Sequence, residues 1–339
     1  MISRARRIIA NGVLGPVDSV AVRQPGPGQA LLQIHATSVN YHDLVGVDGG
    51  IPNLAIPRVP FSDASAIVAA VGDGVTGVAV GDAVIPGFFW HWQSGPPTRQ
   101  AQSVILGDQV DGTLQSHVVV PAPSLARAPA GLTHEEIATL GCAGLTAWRS
   151  VVVEAGIRPG QTVVVQGTGG VSLFALGFAK MLGARVILTS SSDAKLERAR
   201  ALGADELINY RTTPDWARAV LAATDGLGVD LVVEVGGGAT LGQAVRAVRV
   251  GGHVSVIGVL TGLKAPDFPL NIVMSRNITM RGITVGHTGD LAAMCRAVEQ
   301  HGYRPVIDQV FDLASAHEAM AALRTQNHVG KIAIRIDAE

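Results

Sequence analysis

The chain has 339 residues, 47% hydrophobic and 16% charged, with a net charge of −1. That length favours two domains over one small core, and the composition excludes a disordered chain. Near-neutral charge without a basic run argues against a nucleic-acid surface, and no apolar stretch approaches the roughly 20 residues of a bilayer span.

Met1–Asn11 lacks the apolar segment of a signal peptide. The only cysteines, Cys142 and Cys295, are too far apart to suggest a bridge and too few for a Cys-rich zinc site. Both observations fit a reducing cytoplasm.

Up to about Ser124 the sequence is rich in short apolar runs and turns, as at Ala30–Ala36, Ala66–Val71 and His117–Pro121. Glycine and aspartate punctuate 71–84 as turns between strands, and Phe88–Gly112 reads as a long aromatic and polar loop. Phe88, Phe89, Trp90, His91 and Trp92 are candidates for the wall of an apolar substrate pocket, or for a subunit contact. Thr133-His-Glu-Glu136 has the pattern of a capping box at a helix start.

Strands and helices then alternate. Strands are expected at 162–166, 185–189, 206–208, 230–235 and 253–257, and helices at 171–182, 193–201, 214–223 and 240–249. This spacing predicts an α/β architecture with a doubly wound parallel sheet. Two more helices, near 290–300 and 315–324, and a strand at Lys331–Ile336 complete the chain.

The stretch from Val163 to Asp193 carries the most information. A buried strand runs into Gly167-Thr-Gly-Gly-Val-Ser172, then a helix, then a second buried strand. Gly167 permits a sharp turn and Gly169 lets backbone approach a pyrophosphate. The helix start at Gly170 and Val171 offers unpaired N–H groups and a positive dipole end, and Ser172 is small enough for close helix–strand packing. These features make a dinucleotide-binding βαβ unit.

An acid that grips the adenosine ribose is expected where the second strand ends, and this chain has Ser190, Ser191 and Ser192 there. Ser190 cannot repel a 2′-phosphate, and Lys195, Tyr210 and Arg211 lie close by in sequence. Hydroxyls and positive charge suit a phosphate, so NADP(H) is expected, with NAD(H) as the alternative. Helix capping by Ser190–Asp193 is the structural reading of the same residues.

Ser38-Val-Asn-Tyr-His-Asp43, Pro60-Phe-Ser-Asp63, Val80-Gly-Asp-Ala-Val84, Cys142-Ala-Gly-Leu-Thr-Ala147, the Gly167 turn and His328-Val-Gly-Lys331 give the chain its resemblance to a known superfamily. It resembles the medium-chain dehydrogenases/reductases over nearly its whole length, closest to the zinc-independent branch of quinone oxidoreductase-like and alcohol dehydrogenase-like proteins. The resemblance implies a GroES-like, β-rich catalytic domain at 1–125, a Rossmann domain at 126–284 and a return to the catalytic domain at 285–339, with a cleft between domains. It also implies cofactor contacts from Thr146, Val235, Gly236 and Gly258, and a 2′-phosphate site at Lys195 and Tyr210.

Zinc-dependent relatives place Cys, His and Cys ligands where this chain has Asn40, Ser62 and Cys142. An amide, a hydroxyl and one thiol make a poor zinc site, and the four cysteines of a structural zinc lobe are missing. His42, His91 and His117 show no ligand spacing, so no metal is expected. Without a Lewis acid, hydrogen-bond donors must polarise the hydride acceptor. Asn40, Tyr41 and Asp43 are the candidates, Asp43 as an orienting group. Ile51 stands where some quinone oxidoreductases carry a tyrosine, so that tyrosine's role does not transfer.

The expected activity is hydride transfer between NADP(H) and a small molecule, either a carbonyl/alcohol pair or a conjugated enone or quinone. The alternative is a nucleotide-binding protein with little turnover. The resemblance further implies a homodimer formed through edge strands at Gly252–Val259 and Thr279–Val285.

Overall fold

The computed structural model describes residues 1–266 and 268–336. These form two compact units, one made of Met1–Leu145 and the chain from Gly286 onward, the other of Thr146–Val285.

The first unit is built on the long strand Gln29–Val39, whose apolar residues are almost all buried. Its N-terminal half pairs antiparallel with Ser65–Val71 on one side and His117–Pro121 on the other. Its C-terminal half pairs with Lys331–Arg335, with Ile332 opposite Val39, and this last strand pairs with Ile307–Asp312. Ala83–Pro86 and Leu125–Arg127 extend the sheet beyond Ser65–Val71. Leu32, Ile34, Val68, Val120, Ile332 and Ile334 form the core. The tail of the chain is therefore an integral strand of the GroES-like unit, and its register sets Lys331 beside the end of the central strand.

The second unit holds six parallel strands: Thr162–Gln166, Arg185–Ser190, Glu206–Asn209, Val229–Glu234, Val248–Val256 and Thr279–Gly282. Their spatial order is third, second, first, fourth, fifth, sixth. Val163–Val165 and Leu231–Val233 are fully buried on neighbouring strands, as expected for a sheet covered on both faces. The order reverses between the first and fourth strands. That is the switch point at which open α/β sheets take ligands.

The units change at Leu145/Thr146 and Val285/Gly286, whereas the resemblance places the changes at 126 and 285. Leu125–Arg127 still pairs with Ala83–Pro86 in the sheet of the first unit, and the chain stays with that unit to Leu145. The Thr133 capping box forms, with Thr133 N–H donating to Glu136 Oε2 at 2.8 Å. One expectation is overturned. Gly252–Val259 is no edge, because Val248–Val256 pairs with the fourth strand on one side and the sixth on the other.

Among the described residues, no helix is long and apolar enough to cross a membrane.

Candidate active site

Asn40 follows directly on the central strand and opens the helix Tyr41–Val47. Asp43 Oδ2 accepts from Asn40 N–H at 2.7 Å, tying the first helical turn to its own start. Asp63 lies alongside: its Oδ2 accepts from Ser38 Oγ at 2.6 Å and from Asn40 Nδ2 at 2.8 Å. Lys331 donates Nζ–H bonds to Asn40 Oδ1 at 2.5 Å and Val39 O at 3.0 Å, and stands 3.5 Å from Asp63 Oδ2. Asn40, Asp43, Asp63 and Lys331 are all buried. A buried ammonium is costly unless paired and hydrogen-bonded, and here three acceptors surround it.

This network fixes the Asn40 amide at both ends. Its amide oxygen accepts from Lys331 and one of its two amide N–H groups donates to Asp63, which orients the side chain. Asp43 is also enclosed. Burial, with the Asp63 charge adding to it, pushes its carboxyl up to about 7, against the opposing influence of His42, the Asn40 N–H and Lys331. Tyr41 is 47% exposed and keeps an accessible hydroxyl-bearing ring.

Next to Tyr41, His42, which the sequence offers only as an isolated histidine without ligand spacing, has a defined partner. Its Nε2 lies 3.0 and 3.1 Å from the two oxygens of Asp108, a buried residue in the long aromatic loop. Burial works against the charged imidazole, but the Asp108 hydrogen bond and charge, with Asp43, outweigh it and raise the pKa. The side chain is 31% exposed, so this imidazole is both oriented and reachable. Nothing in the local sequence signals a partner in a distant loop.

Ser62 Oγ and Asp63 Oδ1 are buried without a hydrogen-bond partner among the described residues. A Cβ at Gly141 would lie 2.8 Å from Asp63 Oδ1 and force that carboxylate to shift. Burial and the Asp63 charge push the Cys142 thiol well up, with Lys331 opposing and Asp43 reinforcing. Among the described residues, no group of three or more His, Cys, Asp or Glu could hold a metal ion.

The aromatic residues of the loop pack on one another. Phe88, Phe89 and Trp92 are buried and meet edge-on or tilted in a chain that runs from His42 to His287. Trp90 is half-buried and His91 exposed.

In the second unit the glycine turn folds as its composition requires. Gly167 has φ +72°, in the left-handed region, and its N–H donates to Thr189 O at 2.7 Å. Gly169 caps the helix Gly170–Met181 in an extended conformation, and Gly167, Gly169, Gly170 and Val171 are partly exposed. Ser172 Oγ donates to Gln166 O at 2.7 Å, tying helix to strand.

Ser190 is the buried last residue of the second strand, and its carbonyl accepts from Tyr210 N–H at 3.0 Å. Ser191 and Lys195 are half-buried and Tyr210 is exposed. Ser192 stands at the N-cap of the helix Asp193–Ala201 without a side-chain cap bond. Thr146 is buried, Val235 and Gly258 half-buried. A Cβ at Gly258 would lie 1.9 Å from Val235 O, so only glycine allows these two backbones to meet.

Glu234 and Gln166, at the ends of the fourth and first strands, form a buried hydrogen-bonded pair that sequence patterns give no reason to expect.

Comparison with known proteins agrees with this architecture. The alcohol dehydrogenase GroES-like domain family matches residues 26–130, and the zinc-binding dehydrogenase family matches residues 170–300. A zinc-type alcohol dehydrogenase-like protein of Schizosaccharomyces pombe is 41% identical over 330 residues, 96% of this chain and 95% of that protein. The solved structure of an NAD-dependent alcohol dehydrogenase is 35% identical with a TM-score of 0.90, covering 98% of this chain and 100% of its own. A quinone oxidoreductase of Pseudomonas syringae pv. tomato is 26% identical with a TM-score of 0.83, covering 99% of this chain and 100% of its own.

Proposed function

Because the chain belongs to the medium-chain dehydrogenase/reductase superfamily, in its alcohol dehydrogenase-like family, and is an NAD(P)-dependent oxidoreductase, we propose that it works with NADP(H) and without catalytic zinc. The observation that carries this reading is the engagement of Asn40. At the position of a zinc ligand in zinc-dependent relatives, its amide oxygen accepts from a lysine ammonium at 2.5 Å. A metal would have to displace that ammonium and would find, beside the Asp63 carboxylate that the ammonium faces, only a hydroxyl and a thiol whose pKa is raised, short of the three thiolate, imidazole or carboxylate ligands that Zn²⁺ takes. The donor set does not fit zinc. Elemental analysis of active, purified protein is expected to find none, and one stoichiometric zinc would overturn the proposal.

The βαβ unit fits the dinucleotide, which when bound supplies or accepts the hydride. Gly167–Val171 offers N–H groups and a helix start to the pyrophosphate, with Thr146, Val235 and Gly258 as further contacts. Ser190, Ser191, Lys195 and Tyr210 form the candidate 2′-phosphate site. The Ser190→Asp variant is expected to reverse the preference from NADPH to NADH, read as the ratio of the two Kd values. A parent protein that already prefers NADH would defeat this assignment.

In the reductive direction the acceptor gains a hydride and needs one proton. Tyr41 and the His42–Asp108 pair are the accessible donors, whereas Asn40 and Asp43 fix the helix start on which both sit. The substrate class is a small carbonyl compound or a conjugated enone or quinone. A panel of aldehydes, ketones, enones and quinones, followed by loss of NADPH absorbance, identifies it. No turnover on any member would count against the proposed chemistry.

The Asp43 carboxyl also predicts a pH dependence of stability. Its pKa is raised to about 7 in the fold, so its contribution is present below the unfolded carboxylate pKa and lost as pH rises towards 7 and beyond. Asp43→Asn removes this dependence while keeping an acceptor for Asn40 N–H. Relative to the parent, the variant should gain about 2–4 kcal/mol between pH 4 and pH 8 in urea unfolding.

We also propose a homodimer through Thr279–Gly282, which among the described residues is an edge strand of the second unit. Leu263, Leu270 and Met274 in the same unit are 85%, 59% and 71% exposed, an apolar surface that a second copy would cover. Light scattering at micromolar concentration should give twice the chain mass, and a monomer would defeat the proposal.

A further inference from the structure

We propose that Glu234 is a positioning residue for the cofactor, a buried carboxylate that locks two cofactor-facing loops together across the switch point of the sheet. The inference rests on the cofactor reading above and extends it to residues that touch no ligand.

The last paired residues of the first and fourth strands are Val165 and Val233, and Gln166 and Glu234 are the next step along each. Glu234 is fully buried, yet its carboxylate is satisfied on every side. Oε2 accepts from Gln166 Nε2 at 2.5 Å. Oε1 accepts from Gly236 N–H at 2.7 Å, Gly237 N–H at 2.8 Å and Thr240 Oγ at 2.6 Å. Gln166 Oε1 in turn accepts from Gly236 N–H at 3.2 Å.

Two of these donors are backbone groups of the loop 235–237, and the Gln166 side chain belongs to the residue just before Gly167. The carboxylate thus binds the loop that carries Val235 to the turn assigned to the pyrophosphate. Further contacts fix the same loop from outside: Thr261 N–H donates to Gly236 O at 2.7 Å, and Ile257 N–H to Glu234 O at 2.9 Å. Gly236 must lack a side chain, since a Cβ there would lie 2.3 Å from Thr240 Oγ. An apolar residue at 234 would fill the space but take the acceptor from Gly237 N–H and Gln166 Nε2, and leave Gly236 N–H and the Thr240 hydroxyl only their longer 3.2 Å bonds. An acceptor-only side chain with several lone pairs meets the local demand.

The pairing is directional, which gives a sharp test. In E234Q an amide NH₂ faces the Gln166 NH₂, donor against donor. In the exchanged variant Q166E/E234Q, the carboxylate and the amide trade places, and every bond named above can form again.

Fluorescence titration of the full chain with NADPH should show E234Q binding about tenfold more weakly than the parent, with the exchanged variant within about threefold of it. Thr240→Val, which loses one donor, should weaken binding by about threefold. Melting midpoints measured without cofactor separate loss of fold from loss of the site. A folded E234Q with parental affinity overturns the proposal, as does an exchanged variant no better than E234Q. If E234Q does not fold, Thr240→Val decides, and parental affinity in that variant overturns the proposal. A parent that binds neither NADPH nor NADH fails the cofactor reading itself, whereas a parent that binds alongside unaffected variants fails the clamp alone.

Discussion

Replacing Lys331 by methionine is expected to destabilise the protein by about 3–5 kcal/mol, the cost typical of breaking a buried ion pair from one side. The ammonium and the Asp63 carboxylate are 3% and 1% exposed, so water cannot take the place of the missing partner. The charge pair itself is long, at 3.5 Å, and the closer contacts are with neutral acceptors, Asn40 Oδ1 and Val39 O. Loss of the lysine therefore leaves a buried carboxylate without its counter-charge and the Asn40 amide oxygen without its donor. Urea unfolding of the parent, Lys331→Met and the double variant Lys331→Met/Asp63→Asn forms the measurement. The double variant should recover part of the loss, because it removes the unpaired charge. A single variant within about 0.5 kcal/mol of the parent would show the pair to be energetically idle.

Removing the imidazole of His42 should leave folding intact and lower kcat in the reductive direction by about 10²–10⁴-fold, the usual range for a general acid. His42→Gln keeps a polar side chain of similar reach but cannot supply a proton. The pH profile adds a second readout. The pKa of His42 is raised, so the protonated form persists above the ordinary histidine range, and kcat should fall only as pH rises through that higher value. Asp108→Asn removes the hydrogen-bonding carboxylate and should move the fall to lower pH. In stability the sign is the same: the pair's contribution is present below the unfolded histidine pKa and lost as pH rises through the raised folded one. An unchanged profile in Asp108→Asn would remove His42 from the proton pathway and leave Tyr41 as the donor.

Much of the second unit is legible in the sequence. The strand at 162–166 and the helix at 193–201 match to the residue, and the helix expected at 171–182 spans Gly170–Met181. Those elements announce themselves through short-range physics: apolar runs in the strands, helical periodicity, glycine where φ must be positive. The fifth strand is harder. Its apolar run points to a start at 253, yet it begins at Val248, because Gly251 and Gly252 within it read as a break. Nor does its composition reveal that it is central rather than an edge, because strand order is not written in any one segment.

The site of the first unit divides in the same way. Asn40, Tyr41 and Asp43 stand out in the sequence, and the structure brings all three to the start of one helix. The availability of their polar groups is not legible there. Asn40 is occupied by Lys331 at a separation of 291 residues and by Asp63 at 23, and His42 is oriented by Asp108 at 66.

The sequence by itself determined the α/β class, the dinucleotide turn, the missing zinc donors and the serines that end the second strand, since each follows from residue types within a few turns of chain. Only the tertiary structure decided which of those polar groups remain open to a ligand. It did so through strand register: pairing Ile332 with Val39 sets an ammonium against Asn40, and pairing Val165 with Val233 sets Gln166 against Glu234. A hydrogen bond depends on tenths of an ångström between atoms that the chain keeps far apart in sequence, and only the closed sheet fixes that distance.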